Sequence, residues 1–291
     1  MSTRPGADRK VVGFVITHFL RSLLLTAFVL QLNGLVRAEE PEQSTPVITH
    51  QLESPFQAGP TTLRIVIPTQ RSATQPLMTI YMLPVEAGLE SRYGDPVKAV
   101  LNQKLHEKYS VLFAFPTFTA LPWYADHPTD KTIQQESHLL KTVIPFVEQH
   151  YPVGQDADHR YLLGYSKSGW GAWSLILRNP HLFARASAWD APLAMTKIGR
   201  YGNGPIFGTQ ENFEHYCVTN LLSSAPDSFR KEPRLILTGY ENFRDQHLQI
   251  LAILSEQKIQ LTYRDGPIRK HHWESGWVEE AVQLLLDPHH Q

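Results

Sequence analysis

Two kinds of apolar pattern alternate along this chain. Short runs rich in Val, Ile, Leu and aromatics recur at 62–68 (TLRIVIP), 78–84 (MTIYMLP), 110–116 (SVLFAFP), 159–166 (HRYLLGYS), 185–190 (RASAWD), 233–239 (PRLILTG) and 259–265 (IQLTYRD). Such runs, bounded by Pro, Gly or polar residues, predict strands. Between them, apolar residues return at helical spacing over 95–109, 133–151, 169–180, 244–257 and 276–286. Strands alternating with helices predict an α/β fold with a mostly parallel central sheet and helices on both faces. Runs such as VLFAFP are apolar on both sides, as a central strand requires. In sheets of this kind the chemistry gathers at the carboxyl ends of the strands.

The N-terminal region breaks the pattern. Arg9 and Lys10 precede an apolar stretch from Val11 to Val36, interrupted by His18 and Arg21 and ending in LVRAEEPEQSTP. Val36 and Ala38 suit signal-peptidase recognition, so residues 1–38 are expected to be a signal peptide and the product secreted or periplasmic. The alternative is an uncleaved anchor. The polar, Pro-containing segment that follows reads as a flexible leader over 39–55, with a catalytic domain over 56–291. Residues 195–232 separate two core strands by more than a usual connection, and are expected to form a small insertion over the site.

Composition narrows the field. The 291 residues carry a formal net charge of −1, which argues against a nucleic-acid partner. One cysteine, Cys217, leaves no internal disulfide. No membrane contact is expected once the signal is removed.

The stretch LLGYSKSGWGAW (162–173) carries the candidate chemistry. A strand ends in Gly164, a helix begins after Ser166, and small residues flank the serine. This is the setting of a nucleophile elbow, written G-x-S-x-G. Ser168 stands for the second glycine, and Gly169 follows. A phosphate loop is disfavoured because Trp170 occupies the place of its lysine. A Ser166–Lys167 dyad is disfavoured because adjacent side chains at such a turn point apart.

A serine nucleophile needs a base and a group that orients it. RKHHWESGW, after the last strand, offers His271 and His272, with His271 preferred. The loop YENFRDQH offers Glu241 and Asp245 as the acid, with Asp245 slightly preferred; Asp190 after SAW is a third choice. The oxyanion hole would use the backbone N–H of Lys167 and a second N–H near Val85 or Glu86. Trp123 and Tyr124, in a Pro-bounded loop, are expected to line a substrate cleft, together with Trp170. A metal site from Asp126, His127, His271 and His272 lacks strong spacing, so no metal or other cofactor is expected.

These segments, with IYMLPVEAG, QQESHLLKTVIPFVEQHYP and YLLGYSKSGWGAWSLILRNPHLFARASAWDAP, resemble the α/β-hydrolase superfamily, and within it the esterase D and feruloyl-esterase-like group. The resemblance spans about residues 60–287. It implies a serine esterase that cleaves carboxylic esters through an acyl-enzyme and without a metal; with the expected signal peptide it is an exported one, and acyl groups on carbohydrate are one candidate substrate. The chain departs from the family pattern at Ser168 and at Pro84–Val85, where relatives carry Gly and His-Gly. An acyltransferase on the same scaffold and a non-catalytic binding protein are the alternatives.

Overall fold

The computed structural model describes residues 47–286. The signal peptide expected over 1–38 therefore lies outside the described residues, as does the first part of the expected leader. Its second part is not a leader: Ile48–Leu52 forms strand β1, paired antiparallel with its neighbour β2. The sequence ITHQL hides it because β1 is an edge strand, and most of its residues remain partly exposed.

The other strands fall where the apolar runs predict them: β2 (Thr61–Val66), β3 (Thr79–Met82), β4 (Leu112–Pro116), β5 (Arg160–Tyr165), β6 (Arg185–Trp189), β7 (Leu235–Tyr240) and β8 (Leu261–Ile268). They form one sheet in the order β1-β2-β4-β3-β5-β6-β7-β8. The pairings of β1 with β2 and of β2 with β4 are antiparallel, and all others are parallel. β3, β4 and β5 are buried at every position, which explains their unbroken apolar runs.

Successive residues of these strands alternate between two cores. Tyr81, Ala114, Leu162 and Ala188 belong to one, and Met82, Phe115, Leu163 and Trp189 to the other. Helices cover both. The 95–109 segment is two helices, α1 (Pro96–Asn102) and α2 (Leu105–Tyr109), divided at Lys104, whose φ is 49°. Asp95 caps α1 by accepting the Val97 N–H at 2.8 Å, and Pro96 follows it in the first turn. Helix α3 (Gln135–His138) runs through a π-type stretch, Leu139–Val143, into α4 (Ile144–His150). Helix α5 (Lys167–Arg178) starts directly after β5 and Ser166.

The segment 195–232 holds four short helices, α6 (Gly204–Phe207), α7 (Gln210–Tyr216), α8 (Val218–Ser223) and α9 (Ser228–Lys231). Helices α10 (Arg244–Gln257) and α11 (Val278–Leu286) complete the layers. Among the described residues no helix is long and apolar enough to cross a membrane.

Candidate active site

Five neighbouring strands, β3, β5, β6, β7 and β8, deliver their C-terminal loops to one edge of the sheet. The loops bring Glu86, Ser166, Asp190, Asn242 with Phe243, and His271. All but Asp190 line a cavity of about 570 Å³; Asp190 lies directly behind His271.

Ser166 sits at φ 53°, ψ −131°, a conformation that L-residues rarely adopt. Such a backbone costs roughly 1–3 kcal/mol and persists only where the surroundings enforce it. Here the Ser166 N–H donates to the carbonyls of Trp189 (3.1 Å) and Asp190 (3.2 Å). The need for small neighbours is visible at Gly164, where a Cβ would stand 2.4 Å from the Ser168 carbonyl. Ser168 takes the place of glycine without strain. Its hydroxyl donates to the Tyr165 carbonyl at 2.9 Å and accepts the Tyr165 N–H at 3.0 Å, tying the turn across its base. Lys167 opens α5, and the first N–H groups of a helix have no partner within it. Its backbone therefore offers a donor beside Ser166.

His271 meets Asp190. The ring Nδ1 lies 2.6 Å from Asp190 Oδ2. A carboxylate can only accept, so Nδ1 carries the proton and Nε2 is left free to take one. Asp190 is fully buried, at φ 40°. Burial opposes its ionisation, but the His271 hydrogen bond and those from the backbone of residues 241–243 outweigh this and hold the carboxyl below its ordinary range. The Asn242 N–H reaches Oδ1 at 2.9 Å and the Phe243 N–H at 2.8 Å. Behind it, the buried His247 ring Nε2 accepts the Ala191 N–H at 3.1 Å. Tyr165, Tyr93 and Phe243 enclose the His271 ring edge-on.

Several sequence expectations are corrected. The acid beside His271 is Asp190, neither Asp245 nor Glu241. Asp245 is exposed in the first turn of α10. Glu241 accepts the His271 backbone N–H with its carboxylate, so it holds the loop rather than the ring. His272 does not face Ser166: its ring packs on Gly94, where a Cβ would come within 2.4 Å, and its carbonyl accepts from the Trp277 indole.

Trp123, Tyr124 and Trp170 do not line the cleft, and all three are fully buried. Gln135 draws their loop inward, its Oε1 accepting the N–H groups of Trp123 (2.8 Å) and Tyr124 (2.9 Å). Trp170 then packs on Trp123 and Phe213. Val85 is buried in the core, and Glu86 is the residue of that loop that lines the cavity.

Tyr124 has another position of interest. Its hydroxyl donates to the Pro84 carbonyl at 2.5 Å, fixing the loop after β3. Burial pushes its phenol well above its ordinary value, partly offset by the nearby Ser168 hydroxyl. Sequence reading also missed Arg92, Tyr93 and Tyr201, which reach the cavity from loops and carry no motif. Asp126 and His127 bond within their own loop region, to Ser137 and to the Thr129 and Asp130 backbone. Among the described residues no group of three or more His, Cys, Asp or Glu is placed to hold a metal.

Residues 122–197 match the family model described as "Putative esterase". Among solved structures, the fluorophosphonate-binding serine hydrolase F of Staphylococcus aureus aligns at TM-score 0.67 and 15% identity, covering 83% of this chain and 98% of its own. An S-formylglutathione hydrolase from Agrobacterium tumefaciens aligns at 0.68 and 14%, covering 86% and 98%. A ferulic acid esterase aligns at 0.63 and 18%, covering 82% and 97%. At these identities the likeness is one of fold. No curated protein matches the sequence significantly.

Proposed function

We infer that this chain is an α/β-hydrolase of the esterase family that cleaves carboxylic esters with Ser166 as nucleophile, His271 as base and Asp190 as the orienting acid. The observation that carries the reading is the strained serine and the carboxylate-bound imidazole facing one cavity at the carboxyl edge of the sheet.

The steps follow from the groups present. Ser166 Oγ forms a bond to the ester carbonyl carbon as His271 Nε2 takes its proton. Asp190 stabilises the resulting imidazolium and keeps Nδ1 protonated. The carbonyl electrons move to oxygen, where the Lys167 N–H and an N–H of the Val85–Glu86 loop are the donors. Collapse breaks the C–O bond to the alcohol, which leaves with the proton from His271. Water then enters, gives a proton to His271 and adds to the acyl carbon. Release of the acid returns the proton to Ser166.

The chain is also proposed to be exported, with residues 1–38 removed; the N-terminal sequence of the mature protein tests this separately. Trp123 and Tyr124 are core and offer no surface on which a sugar could stack, so nothing at the cleft singles out carbohydrate esters. Activity is tested with a fluorophosphonate probe and a panel of aryl esters on wild type and Ser166→Ala. Labelling and turnover that vanish in the variant support the assignment. An unlabelled wild type would favour a binding protein that kept the fold.

A further inference from the structure

Beside Ser166 the cleft gathers positive charge, in an arrangement with a chemical consequence. Lys167 is the first residue of α5, the end where the helix dipole is positive and a cation is least welcome. Its side chain is only 10% exposed and lines the cavity. Burial pulls its ammonium below the ordinary lysine value, Glu86 opposes this, and the charge of Arg92 adds to the lowering. Two separate elements thus place two cations at one mouth, since Arg92 also lines the cavity with its guanidinium 4.8 Å above the Tyr93 ring.

A single carboxylate among the lining residues faces them. Glu86 Oε1 lies 3.3 Å from Lys167 Nζ, and its own side chain is 30% exposed. Asp190 lies behind the imidazole, committed to His271 and to the backbone of 242–243. Glu241 is engaged with the His271 backbone N–H. Among the lining residues two cations face one carboxylate, next to a helix N-terminus and in a partly desolvated space where charge acts strongly, while the buried Asp190 carboxylate adds a negative charge behind the imidazole.

A second cation there needs a reason. A lysine at this helix position supports neither the helix nor the core, and a half-exposed glutamate offsets only one of two cations. We propose that the cleft selects esters that carry a carboxylate or phosphate close to the scissile bond, with Lys167 and Arg92 as the residues that recognise it. This rests on the hydrolase reading above and names the substrate class of that site. Glu86 then holds the Lys167 side chain in place until the anion arrives.

Two matched substrate pairs separate the acyl and alcohol halves as the origin of the charge. On the acyl side, mono-para-nitrophenyl glutarate is compared with para-nitrophenyl valerate. On the alcohol side, para-carboxyphenyl acetate is compared with its methyl ester. In wild type, kcat/KM for the charged member should exceed that for the neutral member about tenfold in at least one pair. The ratio should fall about fivefold in Lys167→Met and in Arg92→Leu, survive in Lys167→Arg, and decline as salt is raised.

Glutarate should likewise inhibit more tightly than valerate, which reads the subsite without turnover. Ratios at or below one in both pairs, or a ratio that neither neutral variant moves, overturn the proposal while Ser166-dependent cleavage of neutral esters leaves the hydrolase reading intact. Failure of every ester, with no fluorophosphonate labelling, overturns both.

Discussion

Replacing Asp190 by Asn tests the acid assignment most directly, because the structure says which atoms must rearrange. The carboxylate accepts from the Asn242 and Phe243 backbone N–H groups on Oδ1 and from His271 Nδ1 on Oδ2. An amide has one acceptor oxygen. If it stays on the two backbone donors, the NH₂ faces Nδ1, which must then give up its proton and become the acceptor. The proton moves to Nε2, and the ring can no longer take one from Ser166.

A wrong-tautomer defect of this kind costs about 10³–10⁴ in rate in serine hydrolases, or about 4–5 kcal/mol of transition-state stabilisation. Loss of fold should be modest, about 1–2 kcal/mol, since the backbone donors stay paired. Asp190→Ala is the poorer variant because it leaves those N–H groups without their acceptor. Asp245→Asn, at an exposed position in the first turn of α10, should change kcat/KM less than about twofold. Glu241→Gln keeps an acceptor for the His271 N–H and should cost less than about tenfold. The assay is kcat/KM on an aryl acetate, with circular dichroism to verify folding. A loss in Asp245→Asn or Glu241→Gln that matches or exceeds the loss in Asp190→Asn would refute the assignment.

Gly164→Ala should destabilise the protein by about 3 kcal/mol or more, because its Cβ would press on the Ser168 carbonyl at 2.4 Å; a urea midpoint close to wild type would contradict this. Tyr124→Phe removes the hydroxyl that holds the Pro84 carbonyl. It should lower stability by about 1–3 kcal/mol and lower kcat several-fold with KM little changed, whereas an unchanged kcat would mean that the loop after β3 needs no such tether. Burial holds His138 and His247 down from 6.5 to about 4. Between those values the unfolded chain binds protons that the native histidines refuse, so stability is full above about pH 6.5 and is lost as pH falls through that window, by about 3 kcal/mol per histidine. Asp190, with its folded value depressed, adds its own loss only below the ordinary carboxylate range near pH 4. Urea midpoints at pH 7.5 and 4.5 read this, and equal midpoints would count against both burials.

The parallel sheet was legible because its central strands are buried on both faces, which writes them as unbroken apolar runs. The elbow was legible because its geometry demands small residues at fixed offsets, and Gly164 obeys. What stayed hidden depends on neighbours in space. Asp190 follows β6, and only the register of β6 between β5 and β7 puts it under the loop that carries His271. In the sequence, WDAP is indistinguishable from a turn. Trp123 and Tyr124 read as an overhanging loop because no local pattern reveals that Gln135, twelve and eleven residues on, captures their backbone. Strand β1 carries only Ile48 and Leu52 as apolar residues, too few for an alternating signature, since an edge strand leans largely on backbone pairing.

The two departures from the family pattern, Ser168 and Pro84, look like separate weaknesses in the sequence, yet in the fold Tyr124 packs between the segments that carry them. The Tyr124 hydroxyl holds the Pro84 carbonyl, while the Ser168 hydroxyl is tied to the Tyr165 backbone. Gly171 on α5 leaves room for that ring: a Cβ there would fall 2.0 Å from Tyr124 Cδ2. One buried tyrosine therefore spans the loop after β3 and the helix that follows the elbow, the two segments proposed to supply the oxyanion donors. A proline that cannot donate and a serine larger than glycine are both accommodated if a third residue fixes the distance between these loops. On this reasoning Ser168→Gly would relax the elbow, by removing its ties to the Tyr165 backbone.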